Sequence, residues 1–580
     1  MKPGFALPTV LVATTVMIFV LFTALAAAAS MGGALDEQYY NKLAREAAES
    51  GVSRARNCYP KVKSSATSSQ WPNAITLTPK TNCLGANVTS QSANVLDLSG
   101  DVRTRFEVAQ AQVDNGVIYF EVRGYAERLR SSNQATPVAT YVQAIKYRVR
   151  LTQSGIVSGK TTVCSIVGFR LYCWGRNQGG QIGDGTKGNI RTSPSEVKIG
   201  GSSDNYYVQS VASGWEHTCA ITSLTPVVDY TQSNQTQIWC WGQNNRGQLG
   251  FEPVGGESLT PRQVSLSQSG LPTDRNFIDI SARDHVCVTA QQPSLINKRA
   301  YCWGYNNAGQ AGDLADNSVP ATKFPASSAL RTAAGGTYGS VSQISSVAPG
   351  NTCLINSGTP YCMGLKAYAI LGQPETSAPS GNSARGYVPQ AAGSPNPLTG
   401  NTTKISTDYT HACAIASQRV WCWGSNLNPD GGAYEGRVDP GIPDDKVWTP
   451  QKMAPASNVN KAFVDVAAAS ASSCALDTGG KVWCWGDNSV GELGQGSAGS
   501  LSLPGNINGR MPSSNMVQVK GALESRTVKE ITSAGRSYCV ITDEEESFCW
   551  GDNQYGQLGN KSTASTSLPV RVEFVPGLLY

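Results

Sequence analysis

The feature that most constrains the fold of this chain is a short Cys-Trp-Gly phrase that recurs along most of its length. Six copies read YCWGRN, WCWGQN, YCWGYN, WCWGSN, WCWGDN and FCWGDN, and they begin at Tyr172, Trp239, Tyr301, Trp421, Trp483 and Phe548. A seventh copy, YCMGLK at Tyr361, has methionine in place of tryptophan. The cysteines of successive copies lie 60 to 67 residues apart. Such a period is typical of a propeller or a solenoid.

A glycine-rich turn follows several of these copies. It reads GQIG, GQLG, GQAG, GELG or GQLG and begins at Gly180, Gly247, Gly309, Gly491 and Gly556. Together with the Trp-Gly-x-Asn phrase, these residues resemble the regulator of chromosome condensation repeat family, over roughly residues 154–575. The resemblance implies a mainly β fold, a seven-bladed β-propeller. Short β-rich runs such as VQSVASG, HTCAI and IWCWG agree with it.

Each repeat contains one pair of cysteines. In HACAIASQRVWCWGSN, a two-residue turn at Ser417 and Gln418 would place Cys413 directly opposite Cys422, at a spacing that a disulfide accepts. We therefore expect one disulfide-stapled hairpin in each blade. The predicted pairs are Cys164 with Cys173, Cys219 with Cys240, Cys287 with Cys302, Cys353 with Cys362, Cys413 with Cys422, Cys474 with Cys484, and Cys539 with Cys549.

The aromatic residues beside the second cysteine, such as Trp421 and Trp423, share one face of their strand because side chains alternate. Both faces of a blade are covered by its neighbours, so we interpret these rings as core between blades rather than as a sugar platform. The three histidines, His217, His285 and His411, occupy one position of the repeat. Residues spread round a ring do not converge on one substrate, which favours a structural hydrogen-bonding role.

The amino terminus carries a second constraint. No charged residue lies between Lys2 and Asp36, and the apolar stretch from about Val10 to Ala29 is long enough to cross a bilayer. The leader MKPG followed by FALPTVLVATTVMIFV resembles a type IV prepilin signal, which implies cleavage between Gly4 and Phe5 and methylation of the new terminus. Most pilins have glutamate at mature position five. Thr9 stands there in this chain, as in pseudopilins at a filament tip.

Two other interpretations of this terminus remain open, a cleaved signal peptide and a plain membrane anchor. The helical spacing of YYNKLAREAAESGVSRARN continues the apolar segment, and the resemblance divides the chain into a prepilin leader (1–4), a membrane-spanning and filament-forming helix (5–57), a pilin-like headpiece (58–153) and the propeller (154–580).

The headpiece has the pattern of a small antiparallel sheet. A DNG turn interrupts the alternation in TRFEVAQAQVDNGVIYFEVRGYAERLR, and ATYVQAIKYRVRL predicts a further strand. Cys58 and Cys83 are its only cysteines, and we expect them to pair. No histidine precedes His217, so a metal site is not expected.

Composition excludes some classes of function. The net charge of +5 is spread over 46 basic and 41 acidic residues without long runs of one sign, which gives no sign of nucleic-acid binding. Sixteen cysteines beside an apolar amino terminus indicate an oxidising compartment. The pairing leaves no free thiol as a nucleophile, and protease and hydrolase motifs are absent. We expect neither an enzyme nor a cofactor.

The resulting hypothesis is a minor, tip-located type IV pilus or pseudopilus subunit. Its helix would contact other pilins, in the membrane before assembly and on the pilus or cell surface afterwards, and its propeller would bind a glycan or protein for adhesion. The alternative is a membrane-anchored or secreted propeller that binds or inhibits an extracellular protein without forming filaments.

Binding is expected on the longer hairpins of blades two and three, at Tyr230, Asn234, Gln292 and Asn297. Tolerated surface length explains these hairpins equally well. The final prediction concerns ring closure. The pattern of LPVRVEF matches SPSEVKI, and it predicts that Leu568 to Phe574 supplies the missing strand of the first blade.

Overall fold

The computed structural model of the chain describes residues 37–49, 102–108, 112–114, 117–129 and 137–148, the short strand Val95–Leu96 and the single positions 17, 20, 21 and 23. It also describes 153–574, except for 202–205, 225–227, 229–231, 252, 267–270, 294–297, 312–327, 330, 333–337, 348–349, 368, 375–382, 392–395, 409–410, 426–445, 454–460 and 497–515. The chain divides into two compact units, one within Met1–Arg150 and one over Leu151–Val575.

The first unit contains a helix and an antiparallel sheet. Residues 37–49 are helical. The strands, in the spatial order β1, β2, β4, β3 with β5 also paired to β4, are β1 (Val95–Leu96), β2 (Val102–Val108), β3 (Gln112–Asp114), β4 (Val117–Arg128) and β5 (Ala139–Arg148). Asp114 pairs with Val117, which confirms the hairpin predicted at DNG, and β5 confirms the strand predicted after it.

Small residues let this helix lie close to the sheet. A side chain at Gly124 would come within 1.9 Å of the Ala44 carbonyl oxygen. Ala44 and Ala48 are fully buried, and the Tyr40 ring stacks on Tyr141 with 4.7 Å between centroids. The alanine spacing in the sequence therefore marks the face of the helix that packs on the sheet.

Several predictions of the amino-terminal region lie outside the described residues. They are the leader with Gly4 and Phe5, Thr9, and the Cys58 and Cys83 pair. Within the part of the chain that the structure describes, no helix is both long and apolar enough to cross a membrane.

The second unit is a β-propeller whose described strands form seven sheets, called sheets 1 to 7 in chain order. Four consecutive strands form each sheet, and sheet 4 has a fifth. The strands of sheets 1 and 2 are β6 to β9 (Gln153–Ser158, Thr162–Val167, Arg170–Gly175, Arg191–Val197) and β10 to β13 (Tyr207–Ser213, His217–Ser223, Thr236–Gln243, Glu257–Gln263). Those of sheets 3 and 4 are β14 to β17 (Asn276–Ala282, His285–Gln291, Lys298–Gly304, Ser328–Ala329) and β18 to β22 (Arg331–Thr332, Val341–Val347, Asn351–Asn356, Thr359–Gly364, Ser383–Tyr387).

The strands of sheets 5 to 7 are β23 to β26 (Thr402–Asp408, His411–Ala416, Arg419–Ser425, Lys446–Met453), β27 to β30 (Phe463–Ala468, Ser472–Asp477, Val482–Gly486, Val517–Gln518) and β31 to β34 (Val528–Ala534, Ser537–Thr542, Ser547–Gly551, Thr566–Arg571). A short 3-10 helix covers Gly521–Leu523. In every sheet the first long strand is innermost. Counted from that strand, the second and third strands form the hairpin that carries the cysteines.

All seven predicted propeller disulfides are present. The pair Cys413 and Cys422 sits directly across the hairpin, with its Cα atoms 4.1 Å apart. Ser417 and Gln418 have φ angles of 49° and 61°, as a two-residue turn with two left-handed residues requires. The register of this hairpin is therefore the one that the sequence predicts.

The repeated tryptophan links five of the sheets to the sheet before each of them. In sheet 2, the indole N–H of Trp241 donates to the Gln181 carbonyl oxygen at 2.9 Å. Equivalent bonds join Trp174 to Gln557, Trp303 to Gln248, Trp423 to Ile370 and Trp550 to Glu492. Four of the five acceptors lie in the glycine-rich turns, so the two sequence motifs meet in one contact between sheets. The tryptophans that donate these bonds are fully buried, which confirms their interpretation as core between neighbouring sheets.

Sheets 7 and 1 are in direct contact. The Phe574 ring packs edge-on against Tyr172 and Trp174, with centroids 6.0 and 5.9 Å away. The backbone N–H of Lys561 donates to the Thr192 carbonyl oxygen at 2.8 Å. The last sheet of the propeller thus contacts the first through side-chain packing and loop hydrogen bonds.

The predicted role of Leu568 to Phe574 as a strand of the first blade is wrong. Thr566–Arg571 is the outer strand of sheet 7, where it pairs with Ser547–Gly551. Sheet 1 is completed by its own outer strand, Arg191–Val197. The two sequences are true counterparts, but each pairs back onto the strand that precedes it, because the glycine-rich turn reverses the chain onto that strand. Gln153–Ser158 supplies the innermost strand of sheet 1.

Candidate functional site

The first candidate region is the pair of long hairpins in sheets 2 and 3. Their cysteines lie 21 and 15 residues apart, compared with 9 or 10 in the other sheets. Adjacent strands are antiparallel, so the turns between second and third strands leave every sheet at the same end. We call this end the hairpin face. The two long hairpins belong to neighbouring sheets and share it.

The long hairpin of sheet 2 is bonded to the beginning of sheet 3. The Asn276 side chain donates to the Gln232 carbonyl oxygen at 2.5 Å and accepts from the Gln235 backbone N–H at 2.7 Å. Asn234, between them, has a φ angle of 57°. Asparagine tolerates this left-handed conformation better than most residues do. The base of the hairpin is thus held by specific hydrogen bonds.

The long hairpin of sheet 3 reaches the same segment. The Gln292 side-chain amide donates to an Asp274 carboxylate oxygen at 3.0 Å. Of the four predicted binding residues, the structure therefore brings Asn234 and Gln292 to the segment that leads into sheet 3. Tyr230 and Asn297 lie outside the described residues. The arrangement offers amide donors and acceptors suited to a polar ligand.

The second candidate region is the central channel, a cavity of about 730 Å³ lined by the innermost strands of the sheets. A bulge interrupts each of these strands. In sheets 3 to 7 the residue after the bulge lines the channel, and these positions are filled by Asp279, Gln343, Lys404, Asp465 and Glu530. The equivalent residues of sheets 1 and 2 are Gly155 and Ser210.

Burial governs the ionisation of the channel carboxyls. It raises the pKa of Asp279 to about 6 and that of Glu530 to about 7, and it raises the pKa of Asp465. Lys404 lies 3.8 Å from Asp465 and partly offsets this rise. The Glu530 side chain also accepts a long hydrogen bond from the Ile156 backbone N–H, at 3.5 Å across the boundary with sheet 1. These groups connect neighbouring sheets as well as lining the channel.

Two of the three histidines have the structural hydrogen-bonding role that the sequence predicts, whereas the Nε2 atom of His217 is buried without a hydrogen-bond partner among the described residues. His285 and His411 bond through Nε2 to Thr352 and Ser473 of the following sheets, at 2.6 and 2.8 Å. Burial lowers the pKa of His217 and that of His285 to about 3, so both are neutral at ordinary pH. Within the described ranges no cysteine is free, and no group of three or more histidine, cysteine or acidic side chains could hold a metal ion.

Sequence reasoning missed the channel residues and a set of aromatic and cationic side chains at the opposite end of the strands. The channel residues could have been found, because they occupy the same position of the innermost strand in five of the seven repeats. The aromatic and cationic side chains pair between repeats, and no local pattern marks such pairs.

The fold and these regions define a disulfide-stapled β-propeller with long loops at one end and a polar channel. Residues 170–221, 236–289, 463–492 and 546–578 match the regulator of chromosome condensation (RCC1) repeat. The second unit is thus an RCC1-like propeller in which these four segments match the repeat, in agreement with the resemblance found in the sequence.

Known proteins of similar sequence and fold agree with this class. The chain is 23% identical to the ultraviolet-B receptor UVR8 of Arabidopsis thaliana over 424 residues, which cover 72% of this chain and 81% of the receptor. Among solved structures, human WBSCR16 is similar with a TM-score of 0.54 and 17% identity, covering 70% of this chain and 94% of the other. Prp20p of Saccharomyces cerevisiae has a TM-score of 0.51 and 16% identity, covering 73% and 88%. At these identities the likeness extends to the fold alone.

Proposed function

We propose that the chain is a minor, tip-located subunit of a type IV pilus or pseudopilus that presents its propeller to an extracellular ligand. One observation carries the proposal. The helix at 37–49 lies on an antiparallel sheet, and it follows an apolar segment introduced by the prepilin-like MKPGF. A helix packed on a small antiparallel sheet is also the layout that the resemblance to pilin headpieces implies.

The rest of the chain suits display outside the cell. Seven disulfides staple hairpins of the propeller, and such bonds persist in oxidising compartments. We infer that the seven sheets are seven blades of one closed ring. The contacts of Phe574 and Lys561 with sheet 1 support the closure. A rigid ring is a suitable platform for loops that recognise a ligand.

The partners follow from this arrangement. Other pilin subunits pack against the amino-terminal helix, first in the inner or cytoplasmic membrane and then in the filament. A surface glycan or protein is bound by the long hairpins, at Tyr230, Asn234, Gln292 and Asn297. The chain acts as a binding protein without a cofactor, and not as an enzyme.

Filament assembly is tested in a piliated host that expresses the full chain. Pili are sheared from the cells, and the chain is quantified in the filament and membrane fractions. Wild type should enter the filament fraction. Gly4→Leu should remain in the membrane because the leader is not removed, whereas Pro3→Ala should behave as wild type. Recovery of folded wild type only from membranes or the medium would favour an anchored or secreted propeller.

The hairpin site needs its own test. Both long hairpins are shortened to the length of the Cys413 and Cys422 hairpin, and adhesion is measured on glycan arrays and on whole cells. A matched control changes the short hairpin of sheet 5, as Ser417→Asn with Gln418→Gly. We expect the shortened chain to lose adhesion while keeping its melting temperature. Unchanged adhesion would mean that the two long hairpins are only tolerated extra length on the surface and do not bind the ligand.

A further inference from the structure

The end of the propeller opposite the hairpin face carries paired aromatic and cationic side chains. Turns between first and second strands and the segments after third strands both emerge there. Hydrogen bonds join them within a sheet, as from Arg176 N–H to the Thr161 carbonyl oxygen at 3.0 Å and from Gln243 N–H to that of Glu216 at 2.8 Å. We call this end the turn face.

Three pairs lie on the turn face, each across a boundary between neighbouring sheets. The Lys160 ammonium lies 4.1 Å from the Trp215 ring centroid, between sheets 1 and 2. The Arg246 guanidinium lies 3.8 Å from the Tyr305 ring, between sheets 2 and 3. The Arg176 guanidinium lies 5.3 Å from the Tyr555 ring, between sheets 1 and 7. These six residues form one arc over four successive sheets, and we call them the cation–aromatic arc.

Further contacts hold the arc together. Arg176 forms an ion pair with Glu216 at 3.3 Å, between sheets 1 and 2. The Trp215 backbone N–H donates to the Arg283 carbonyl oxygen at 3.3 Å, between sheets 2 and 3. Five of the six arc residues are half-buried, and the sixth, Arg246, is exposed. The arc is therefore an ordered surface that solvent can reach.

Two of its cations keep their hydrogen-bonding capacity. Among the described residues, the side chains of Lys160 and Arg246 make no hydrogen bond or ion pair, and their close contact is the face of a ring. A ring face restrains a cation without using its N–H donors. Both cations thus present free donors in fixed positions, and the preferred partner of such a donor is a carboxylate.

We propose that the cation–aromatic arc binds an acidic polypeptide segment of a partner protein. Tyrosine, tryptophan and arginine are the residues that dominate the energetics of protein interfaces. Glu216 and Asp284 lie beside the three cations, so the arc is not a uniformly basic stripe of the kind that follows a nucleic-acid backbone. This site goes beyond the proposed function, because it lies on the face opposite the long hairpins and requires no filament assembly.

The probe is a fluorescein-labelled decaglutamate peptide, with decaglutamine as its uncharged control. Binding to the full, oxidised chain is measured by fluorescence anisotropy. Wild type should bind decaglutamate saturably and should not bind decaglutamine. The double variant Lys160→Gln with Arg246→Gln should weaken binding about tenfold or more, because two charge-assisted contacts are lost.

Two controls separate recognition from general attraction. Lys198→Gln with Arg299→Gln removes the same charge from the hairpin end of the strands and should leave the affinity unchanged. Trp215→Ala and Tyr305→Ala keep the charge but release the cations, and each should weaken binding about threefold or more. Melting temperature and disulfide content establish that every variant folds. If the double glutamine variant does not fold, Lys160→Met with Arg246→Met, which also removes both charges, replaces it.

Three results would overturn the proposal. They are absent or unsaturable binding of decaglutamate to wild type, equal losses in the two double glutamine variants, and displacement of the peptide by a sulfated oligosaccharide at lower concentration than by unlabelled decaglutamate. The last would indicate a site for anionic glycans. None of these results bears on the mature amino terminus, so failure here and failure of the pilin proposal are distinguishable.

Discussion

The Nε2 atom of His285 lies 2.6 Å from the Oγ1 atom of Thr352 in the next sheet, and both side chains are fully buried. The Thr352 hydroxyl donates to the Gln310 carbonyl oxygen at 2.7 Å, so it accepts from His285, whose proton is on Nε2. His411 with Ser473 and Ser472 with Tyr538 make the same contact between later sheets. One position of the repeat thus carries a buried polar contact at three boundaries between neighbouring sheets.

His217 breaks this series. Its Nε2 atom is buried without a hydrogen-bond partner among the described residues, and the position equivalent to Thr352 in the following sheet is Val286. A threonine there could accept from His217 and donate to the Gln248 carbonyl oxygen, as Thr218 donates to Gln181.

We therefore predict that Val286→Thr stabilises the protein by up to about 1 kcal/mol in the free energy of unfolding. The control is Val288→Thr in the same strand, where the hydroxyl gains no such partner and burial should cost about 1–3 kcal/mol. Denaturant titration at neutral pH measures both. Equal losses of stability in the two variants would show that His217 does not donate a hydrogen bond to the new threonine.

The channel carboxyls give the protein a predictable pH dependence. Burial raises the pKa of Glu530 in the folded state from its usual 4.5 to about 7. Between these values the folded state binds more protons than the unfolded state, so this carboxyl lowers stability as pH rises from about 4.5 through 7. Gln343 occupies the same position in sheet 4 and bonds both to the backbone N–H and to the carbonyl of Ile405, at 2.9 and 3.1 Å.

Glu530→Gln should accordingly stabilise the protein at pH 8, by an amount on the order of 1–3 kcal/mol, and have little effect at pH 4. Gln343→Glu should do the reverse, with a loss that grows as pH rises. Melting temperatures from pH 4 to 8 test the pair. Parallel pH profiles for Glu530→Gln and wild type would contradict this assignment.

Buried histidines act in the opposite direction. Burial lowers the pKa of His217 and of His285 to about 3 in the folded state, so the unfolded state binds more protons below about 6.5. Their contribution is complete above pH 6.5 and is lost as pH falls towards 3. His285→Gln should flatten the loss of melting temperature between pH 6 and 4, whereas a slope equal to that of wild type would argue against a buried neutral histidine.

The contact between sheets 7 and 1 should be energetically important. Phe574 is buried against Tyr172 and Trp174, so Phe574→Ala should cost about 3–5 kcal/mol. Leu568, in the outer strand of sheet 7, is 40% exposed, and Leu568→Ala should cost far less. Limited proteolysis should begin at sheets 1 and 7 in the phenylalanine variant only. Equal resistance in both variants would mean that the ring is closed by other contacts.

The hairpin disulfides can be compared by loop length. Replacing both cysteines by serine should cost about 2–3 kcal/mol for Cys413 with Cys422 and about 3 kcal/mol for Cys219 with Cys240, which closes the longer loop. Denaturant unfolding of the two variants gives these values. A clearly smaller cost for the longer loop would show that the entropy of the unfolded chain does not dominate.

The sequence predicts what is local or repeated, and it fails where two distant segments must be matched. The turn at Ser417 and Gln418 and the disulfide across it depend on a few adjacent residues, so their pattern suffices. The pattern around Leu568 predicts a strand correctly, but strand-like residues alone do not specify a pairing partner, so the predicted sheet is wrong. Pro569 and Pro194 carried a usable signal, since proline in a sheet is confined to edge strands, where both residues lie.

The contacts across sheet boundaries were beyond the same reasoning. The contacts of Lys160 with Trp215 and of Arg246 with Tyr305 join neighbouring repeats, and the sequence near one residue of a pair does not predict the other residue. The lack of a hydrogen-bond partner for the Nε2 atom of His217 likewise depends on one side chain of the next sheet, Val286.

The central claim, that a pilin-like amino terminus presents the propeller, is tested most directly by the mass of the amino-terminal peptide of the mature chain. The full chain is purified from a host that contains a prepilin peptidase, digested and analysed by mass spectrometry. The account predicts a peptide that begins at Phe5 and carries one methyl group on its amino nitrogen. A peptide that begins at Met1, or one that begins near Ser30, would contradict it.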